Sequence, residues 1–255
     1  MPLIQCEYME SIDWITEKQG VQDYGNLKRT DSDVWRVPVA MGDGFVPNNY
    51  HLLSAGEQAR ADRYHLERDR NRFLVSRIAL RQILSLYHKN LTPPGIEFAN
   101  EPNKKPFIKN GNYPGLHFNT AHAGEHILIA VSAKQVGIDV EKIDQGFAYE
   151  EILQKNFSTE EIVSIRNARR QFWQFYLLWT RKEALLKATS TGLHDELNKL
   201  NVIDGVHDLP KKLVGSDTSW DIASFTVDDM HIGSIAMPGG EKALRFFDFH
   251  AVPLP

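Results

Sequence analysis

The second half of the chain opens with the stretch VGIDVEKID, residues 136–144. Apolar and polar residues alternate along it, as they do in a strand with one buried face. Side chains two positions apart in a strand share a face, so Asp139 and Glu141 are expected to point the same way. Two adjacent carboxylates repel each other, which favours a bound cation or a raised pKa. A solvated face of an amphipathic strand is the alternative interpretation.

A long helical pattern follows and contains WTRKEALLKATSTGL, residues 179–193. Trp179, Glu183 and Lys187 recur every four residues and therefore line one face of the helix. Apolar residues precede Glu183 on the same stripe, which indicates that this face meets the core or a cleft. Glu183 would then join the two strand carboxylates, and three carboxylates suit Mg²⁺. The alternative is an exposed ion pair between Glu183 and Lys187, of little energetic weight.

Composition and charge limit the class of protein. The chain has 255 residues, of which 42% are hydrophobic, and this is typical of one large or two small globular domains. A net charge of −4 argues against a sequence-nonspecific nucleic-acid binder. Cys6 is the only cysteine, the N-terminus lacks a secretion signal, and the longest apolar run, residues 127–131, is too short to span a membrane. We therefore expect a cytoplasmic protein with no nucleic-acid or membrane partner.

The remaining pattern predicts a mixed α/β protein. Residues 1–30 are polar and aperiodic, and we interpret them as an extension or loop with one short helix. Long helices are predicted at residues 68–88 and 170–188, the second stopped by Gly192. Strands are predicted at residues 33–40, 96–99, 116–119, 126–132, 136–141, 200–203, 220–227, 231–237 and 244–250.

The two halves of the chain share a pattern. Ser54 and Glu57 have the spacing of a helix capping box, and Ser158 and Glu161 repeat it 104 residues later. Arg77 and Arg181, one in each long helix, are also 104 residues apart. Chance is one explanation, since capping boxes are common. An internal duplication is the other, and it predicts two similar α/β (α+β) lobes related by a pseudo-twofold axis. Each lobe, residues 1–134 and residues 135–255, would pack a small antiparallel-rich sheet on a long helix.

Basic residues suggest a site for phosphate. Lys105 follows Lys104 beside a proline, His122 is expected in a turn after a strand, and Arg72 lies near the start of the first long helix. Together with a magnesium site, they would form a pocket for a polyphosphate ligand, although solvated faces would explain them as well. The sequence has no Walker A loop, dinucleotide fingerprint or nucleophile elbow. It also has no cysteine–histidine cluster typical of zinc.

Several blocks match one family in order and spacing. They read GIDVE at 137–141, FSTEE at 157–161, and WTRKEALLK at 179–187 with Gly192 beyond it. Two weaker blocks read KKPF at 104–107 and FNTAH at 118–122. In these blocks the chain resembles the 4′-phosphopantetheinyl transferases, specifically the two-lobed, Sfp-type members that activate peptide and polyketide synthetases.

The resemblance implies a reaction and a site. Coenzyme A would donate its 4′-phosphopantetheine to a serine hydroxyl of an apo acyl or peptidyl carrier protein, releasing adenosine 3′,5′-bisphosphate. Asp139, Glu141 and Glu183 would bind Mg²⁺, with Mn²⁺ as the alternative ion. The resemblance implies catalytic roles for Glu183 and Lys187, and coenzyme-binding roles for Arg72, Lys105, His122 and Lys182. Lys182 has a structural role as its alternative, and the enzyme is expected to be a monomer.

Two other functions fit parts of the pattern. The three carboxylates alone would also serve another magnesium-dependent phosphoryl-transfer enzyme. A non-catalytic module that binds coenzyme A or a carrier protein would need neither Glu183 nor Lys187. The block at residues 179–187 therefore disfavours both alternatives.

Overall fold

The computed structural model describes residues 2–16, 31–100, 105–109, 113, 116–191, 196–215, 217–240 and 243–250. The strands are β1 Leu3–Met9, β2 Trp14–Thr16, β3 Ser32–Pro38, β4 Phe98–Asn100, β5 Pro106–Ile108, β6 His117–Ala123, β7 His126–Ser132, β8 Gly137–Lys142, β9 Gly205–Asp208, β10 Trp220–Asp228, β11 His231–Pro238 and β12 Leu244–Asp248. The helices are α1 Phe45–Asn49, α2 Ala55–Ala61, α3 Glu67–Leu86, α4 Glu150–Asn156, α5 Thr159–Asn167, α6 Gln171–Thr189 and α7 Lys211–Val214. The mixed α/β class is confirmed.

Two five-stranded sheets form the framework. One has the strand order β8-β11-β10-β1-β9 and packs on helix α6, and we call it the α6 sheet. The other has the order β2-β12-β3-β7-β6 and packs on helix α3, and we call it the α3 sheet. Strands β4 and β5 form a separate small ribbon. Each sheet therefore has one face covered by a long helix.

The two sheets share an apolar interface on their other faces. Val34 and Leu128 of the α3 sheet belong to the same buried cluster as Ile138 and Phe225 of the α6 sheet. Asn119 also crosses this interface, because its side-chain oxygen accepts a hydrogen bond from the backbone N–H of Ile138 at 2.9 Å. The interface fixes strand β6 beside strand β8.

Both predicted capping boxes are present. Ser54 caps α2 with Glu57, and Ser158 caps α5 with Glu161. Each of these glutamates also forms a salt bridge with a basic residue of the long helix that follows. Glu57 pairs with Arg81 of α3 at 2.7 Å, and Glu161 pairs with Lys182 of α6. Buried carboxylates need such partners. The pseudo-twofold relation between the halves, and their boundary at residues 134 and 135, stay predictions.

The prediction for residues 1–30 was wrong where the structure describes them. Instead of an extension with a helix, β1 lies between β10 and β9 in the α6 sheet, and β2 pairs with β12. Ile4 and Cys6 are buried while Gln5 is exposed, so the polar residues are the outer positions of a half-buried strand. Residues 17–30 lie outside the described part of the chain.

The C-terminal strand crosses to the other sheet in the same way. Strand β12 pairs in parallel with β3 in the α3 sheet, although most of the second half of the chain builds the α6 sheet. The strand predicted at residues 200–203 is absent. Its backbone instead contacts charged side chains, since the Val202 N–H donates to Glu161 and its carbonyl accepts from Arg181.

Within the described residues, none of the helices combines the length and the apolar character needed to cross a bilayer. The cytoplasmic location and the monomeric state stay predictions.

Candidate functional site

Strand β8 presents two carboxylates to helix α6. Ile138 and Val140 pack into the interface between the sheets, so Asp139 and Glu141 point to the opposite face. Asp139 is 5% exposed, whereas Glu141 is partly open. The alternation predicted from the sequence is therefore confirmed, and the alternative of a solvated strand face does not hold for Asp139.

Helix α6 packs against strand β8 and contributes the side chains that lie opposite the two carboxylates. Lys187 donates a hydrogen bond from Nζ to Oδ1 of Asp139 at 2.6 Å. Burial raises the pKa of the Glu141 carboxyl group, and the nearby Trp179 side chain opposes this rise. Glu183 lies between Trp179 and Lys187 on the same helical face, and its carboxyl group is influenced by the charge of Asp139. The spacing of four residues thus places all three helix side chains against β8.

Gly137 allows the strand and the helix to approach this closely. A Cβ atom at this position would lie 2.1 Å from the carbonyl oxygen of Ala184 and 2.3 Å from the backbone nitrogen of Ala188. Both contacts are with helix backbone, which cannot rotate away as a side chain can. Gly137 therefore sets the distance from β8 to α6, and with it the separation of the carboxylates. The sequence pattern includes this glycine but does not indicate its packing role.

The carboxylates raise one another's proton affinity. Burial raises the pKa of Glu141 to about 7, and the nearby charges of Asp139 and Glu183 add to the effect. Burial also raises the pKa of Asp139, against the opposing effect of Lys187. The pKa of Glu183 is raised by burial and then by Asp139. Such mutual repulsion is relieved when a cation binds or when a proton is shared.

The donor set fits a hard cation. Asp139 Oδ2 is buried and has no hydrogen-bond partner among the described residues, so one carboxylate oxygen is left for another ligand. Carboxylate oxygens, with open positions for water and phosphate, are the environment that Mg²⁺ prefers in proteins. Asp139, Glu141 and Glu183 therefore supply oxygen atoms of the type that such an ion prefers.

A cavity of about 640 Å³ lies against helix α3 and strand β6, and its lining includes Arg72 and His122. His122 is in β6 itself and not in the predicted turn. The pKa of His122 is lowered, first by burial and then by the positive charges of Arg72 and Lys187. These interactions place His122 and Arg72, from the first half of the chain, near Lys187 from the second half. The cavity therefore lies near Lys187, although its lining includes neither Lys187 nor the three carboxylates.

The basic side chains around the cavity differ in how they are paired with acidic residues and in how exposed they are. Arg72 donates to Asp69 at 3.0 Å and keeps 30% of its side chain exposed. Arg77 and Arg81 share the single carboxylate of Glu57, which offsets one of their two charges, and their side chains are only 17% and 1% exposed. Arg72 is accordingly better placed than Arg77 or Arg81 to meet a phosphate.

The two predicted lysines are not at the cavity wall. Lys182 is completely buried, where it pairs with Glu161 at 2.8 Å and donates to two backbone carbonyls. We correct its predicted coenzyme-binding role to the structural alternative. Lys105 donates to the carbonyls of Val136 and Ala188 at 3.1 Å, where the two halves of the chain meet. Its coenzyme-binding role stays a prediction, and Lys104 and Gly192 lie outside the described residues.

Comparison with known proteins defines the family. The model described as "4′-phosphopantetheinyl transferase, N-terminal" matches residues 47–134. The model described as "4′-phosphopantetheinyl transferase superfamily" matches residues 135–235.

Curated relatives agree. The chain is 30% identical over 220 residues to 4′-phosphopantetheinyl transferase HetI of Nostoc, covering 85% of this chain and 91% of the relative. It is 31% identical over 152 residues to a 4′-phosphopantetheinyl transferase of Bacillus subtilis, covering 59% and 66%. It is 28% identical over 153 residues to 4′-phosphopantetheinyl transferase Sfp of the same species, with the same coverage. The chain therefore belongs to the 4′-phosphopantetheinyl transferase family, as its motifs predicted, and is a transferase.

Proposed function

We propose that this protein transfers the 4′-phosphopantetheine group of coenzyme A to a serine hydroxyl of an apo acyl or peptidyl carrier protein. The serine oxygen forms a bond to phosphorus, and the phosphorus–oxygen bond to adenosine 3′,5′-bisphosphate breaks. Transferase relatives along most of the chain support this reaction class. The observation that carries the proposal is the close pairing of Asp139 and Lys187 in a carboxylate cluster that neighbours a cavity with basic side chains.

The cavity is the proposed binding place for coenzyme A. Its volume of about 640 Å³ lies in the range of small-molecule sites. Arg72 and His122 would contact phosphate oxygens, because an arginine fork and an imidazole N–H are both suitable donors. Burial and then the neighbouring positive charges lower the pKa of His122, and phosphate binding would raise it again. Lys105 is a further candidate to contact phosphate oxygens, because it belongs to the KKPF block through which the chain resembles the family.

Asp139, Glu141 and Glu183 are the proposed ligands for Mg²⁺ or Mn²⁺. Two observations support this assignment: the unpartnered buried oxygen of Asp139 and the raised pKa of all three carboxyl groups. When bound, the ion would neutralise the pyrophosphate and polarise the phosphorus under attack. Lys187 holds Asp139 in place through its hydrogen bond to Oδ1.

Glu183 and Lys187 are the proposed catalytic side chains. Partial burial raises the pKa of Glu183 towards the range of an effective general base, so its carboxylate can accept the proton of the serine hydroxyl. The Lys187 ammonium is fixed by Asp139 and lies near His122, where negative charge builds up on the departing bisphosphate. Both residues act from one face of α6.

The reaction is tested by incubating the protein with coenzyme A, Mg²⁺ and an apo carrier protein, and then measuring the intact mass of the carrier. The expected gain is about 340 Da, the mass of one phosphopantetheine, with an equal amount of adenosine 3′,5′-bisphosphate in the supernatant. A carrier whose acceptor serine is replaced by alanine is the control and should gain nothing. No gain on acyl and peptidyl carriers alike, with coenzyme A still bound, would favour a non-catalytic binding module instead.

A further inference from the structure

Three metal-ligating side chains meet at one edge of the interface between the two sheets. His126 comes from the start of β7 in the α3 sheet, while Asp228 and His231 flank the turn from β10 to β11 in the α6 sheet. Nε2 of His126 lies 2.6 Å from Oδ2 of Asp228, and Nδ1 of His231 lies 2.8 Å from Oδ1 of the same carboxylate. One ligand atom of each residue lies within 4.8 Å of the others.

The two histidines of the cluster are largely buried, the Asp228 side chain between them is 40% exposed, and the hydrogen bonding of the histidines is incomplete. The side chain of His231 is 2% exposed and that of His126 is 16% exposed. Nδ1 of His126 and Nε2 of His231 are buried without a hydrogen-bond partner among the described residues. The imidazole rings stand edge to face, with centroids 4.8 Å apart. The nitrogens that face Asp228 are both hydrogen-bonded to it, and the two unpartnered nitrogens are the outer ones, although buried polar groups are usually satisfied.

This cluster is separate from the carboxylates of the transfer site. Ile232 pairs with Glu141 across the sheet, and its side chain packs on the α6 side. His231 directly precedes Ile232 in β11 and pairs with Lys142. Its side chain therefore points to the opposite face of the α6 sheet, towards the interface between the two sheets. None of the three ligands belongs to the predicted coenzyme or magnesium set.

The chemistry of the ligands identifies the class of ion. Two imidazole nitrogens and one carboxylate oxygen are typical of zinc and of neighbouring first-row dications, whereas magnesium prefers oxygen ligands only. We propose that His126, Asp228 and His231 form a second metal site, specific for a zinc-like dication, that fastens the α3 sheet to the α6 sheet.

The protons balance without a further reactant. Each imidazole would bind the ion through the nitrogen that now faces Asp228, and would carry its single proton on the other nitrogen. For His231 that outer nitrogen is Nε2, which lies 3.5 Å from Oε2 of Glu125. A carboxylate on the outer nitrogen is the usual second-shell partner of a zinc-bound histidine, because it fixes the tautomer and the ring orientation. Glu125, which already pairs with Lys142, lies near enough to accept this hydrogen bond when His231 carries its proton on Nε2.

Zinc would act as a link between chain segments that are distant in sequence. Strand β7 and the β10–β11 turn lie on different sheets, and the ion would join them about one hundred residues apart in the chain. Because zinc would bind only the folded arrangement, it should raise the midpoint of thermal unfolding in proportion to the logarithm of its concentration. The expected role is structural, and the ion takes no part in the transfer step.

The test measures zinc stoichiometry in the full-length protein. The Glu183→Gln variant in excess Mg²⁺ serves as background, so that zinc at the carboxylate cluster does not contribute. After equilibration with zinc and gel filtration, elemental analysis should give one zinc per chain. His126→Gln and Asp228→Asn, in the same background, should retain less than a tenth of this amount. His51→Gln alters an exposed histidine elsewhere and should retain all of it.

Cobalt provides a second readout that does not depend on how the variants fold. Co²⁺ bound by two imidazoles and a carboxylate in a four-coordinate site should give strong visible absorption bands, and zinc should displace them. A wild-type protein that binds no zinc and gives no such bands would overturn the proposal and leave a hydrogen-bonded His–Asp–His contact. Undiminished zinc in folded His126→Gln and Asp228→Asn proteins would also overturn it, because the ion would then be bound elsewhere.

Discussion

Lys187 Nζ lies 2.6 Å from Asp139 Oδ1, while the second oxygen of the same carboxylate is buried with no hydrogen-bond partner among the described residues. One base therefore holds Asp139 in position and leaves its other oxygen available. The neighbouring carboxylates cannot supply a donor when they are ionised. This asymmetry connects the helix motif to the strand motif, and it is the basis of the metal-site proposal.

Removal of the Lys187 charge should slow the chemical step. In the Lys187→Met variant we expect kcat for carrier modification to fall by about a hundredfold to a thousandfold, as when a preorganised transition-state donor is lost. The affinity for coenzyme A should change much less. Single-turnover kinetics measure both quantities. Lys199→Met is the matched control, since Lys199 pairs with Glu196 on the surface and should leave kcat unchanged.

The pH dependence of stability should change when Glu141 is neutralised. Its pKa is raised to about 7 in the fold from an ordinary value near 4.5, so the folded state holds the proton more tightly than the unfolded state. The stability from this group is full below about pH 4.5 and is lost as the pH rises through 7. In metal-free protein, Glu141→Gln should therefore be more stable than the wild type at pH 8, with the difference narrowing towards pH 5.

Urea unfolding at several pH values in a chelator measures this difference. Added Mg²⁺ should stabilise the wild type more at pH 8 than at pH 6, because the ion competes with the proton, and should stabilise Glu141→Gln much less. A constant difference between the two proteins across this range would mean that Glu141 titrates normally.

Gly137→Ala should separate β8 from α6. The added methyl group would meet the helix backbone at 2.1 Å from the Ala184 carbonyl, so the strand or the helix must move. Overpacking of this kind costs about 1–3 kcal/mol of folding free energy or more. We also expect transfer activity to fall under conditions where the variant is folded, since the carboxylates and Lys187 move apart. Gly42→Ala is the control, because a Cβ there meets nothing within 4 Å.

Lys182→Met should be destabilising rather than specifically inactivating. Its partner Glu161 is fully buried and would be left without a counter-charge, at a cost of about 3–5 kcal/mol. Chemical denaturation measures this loss. At a temperature where the variant is folded, its KM for coenzyme A should match the wild type. A raised KM with unchanged stability would restore the coenzyme-binding role that we have withdrawn.

Local sequence patterns predicted the placement of side chains on β8 and α6 better than they predicted the sheets. The alternation around Asp139 and the four-residue spacing from Trp179 to Lys187 depend only on strand and helix geometry, and both were correct. Both capping boxes were correct for the same reason. The position of β1 could not be read in this way, because its partner β10 lies more than two hundred residues away.

Long-range packing also decided which charged residues reach the site. Lys182 and Glu183 are adjacent in the sequence, but the turn of the helix directs one into the core and the other towards β8. Zinc ligands were not expected either, because His126 and Asp228 are far apart in the chain and meet only when the sheets pack. The packing role of Gly137 could not be predicted from the sequence either, because it depends on how closely α6 approaches β8.

The most direct test of the account is the metal dependence of carrier modification in the wild type and in Glu183→Gln. Transfer is followed by intact mass while Mg²⁺ is titrated into chelator-treated enzyme. Glu150→Gln is the control, because Glu150 pairs with Arg166 on the surface. We predict that wild-type and control transfer rise from near zero with Mg²⁺, and that Glu183→Gln remains at least about a hundredfold slower at saturation. Full activity of the wild type in chelator, or of Glu183→Gln in Mg²⁺, would contradict the proposed site.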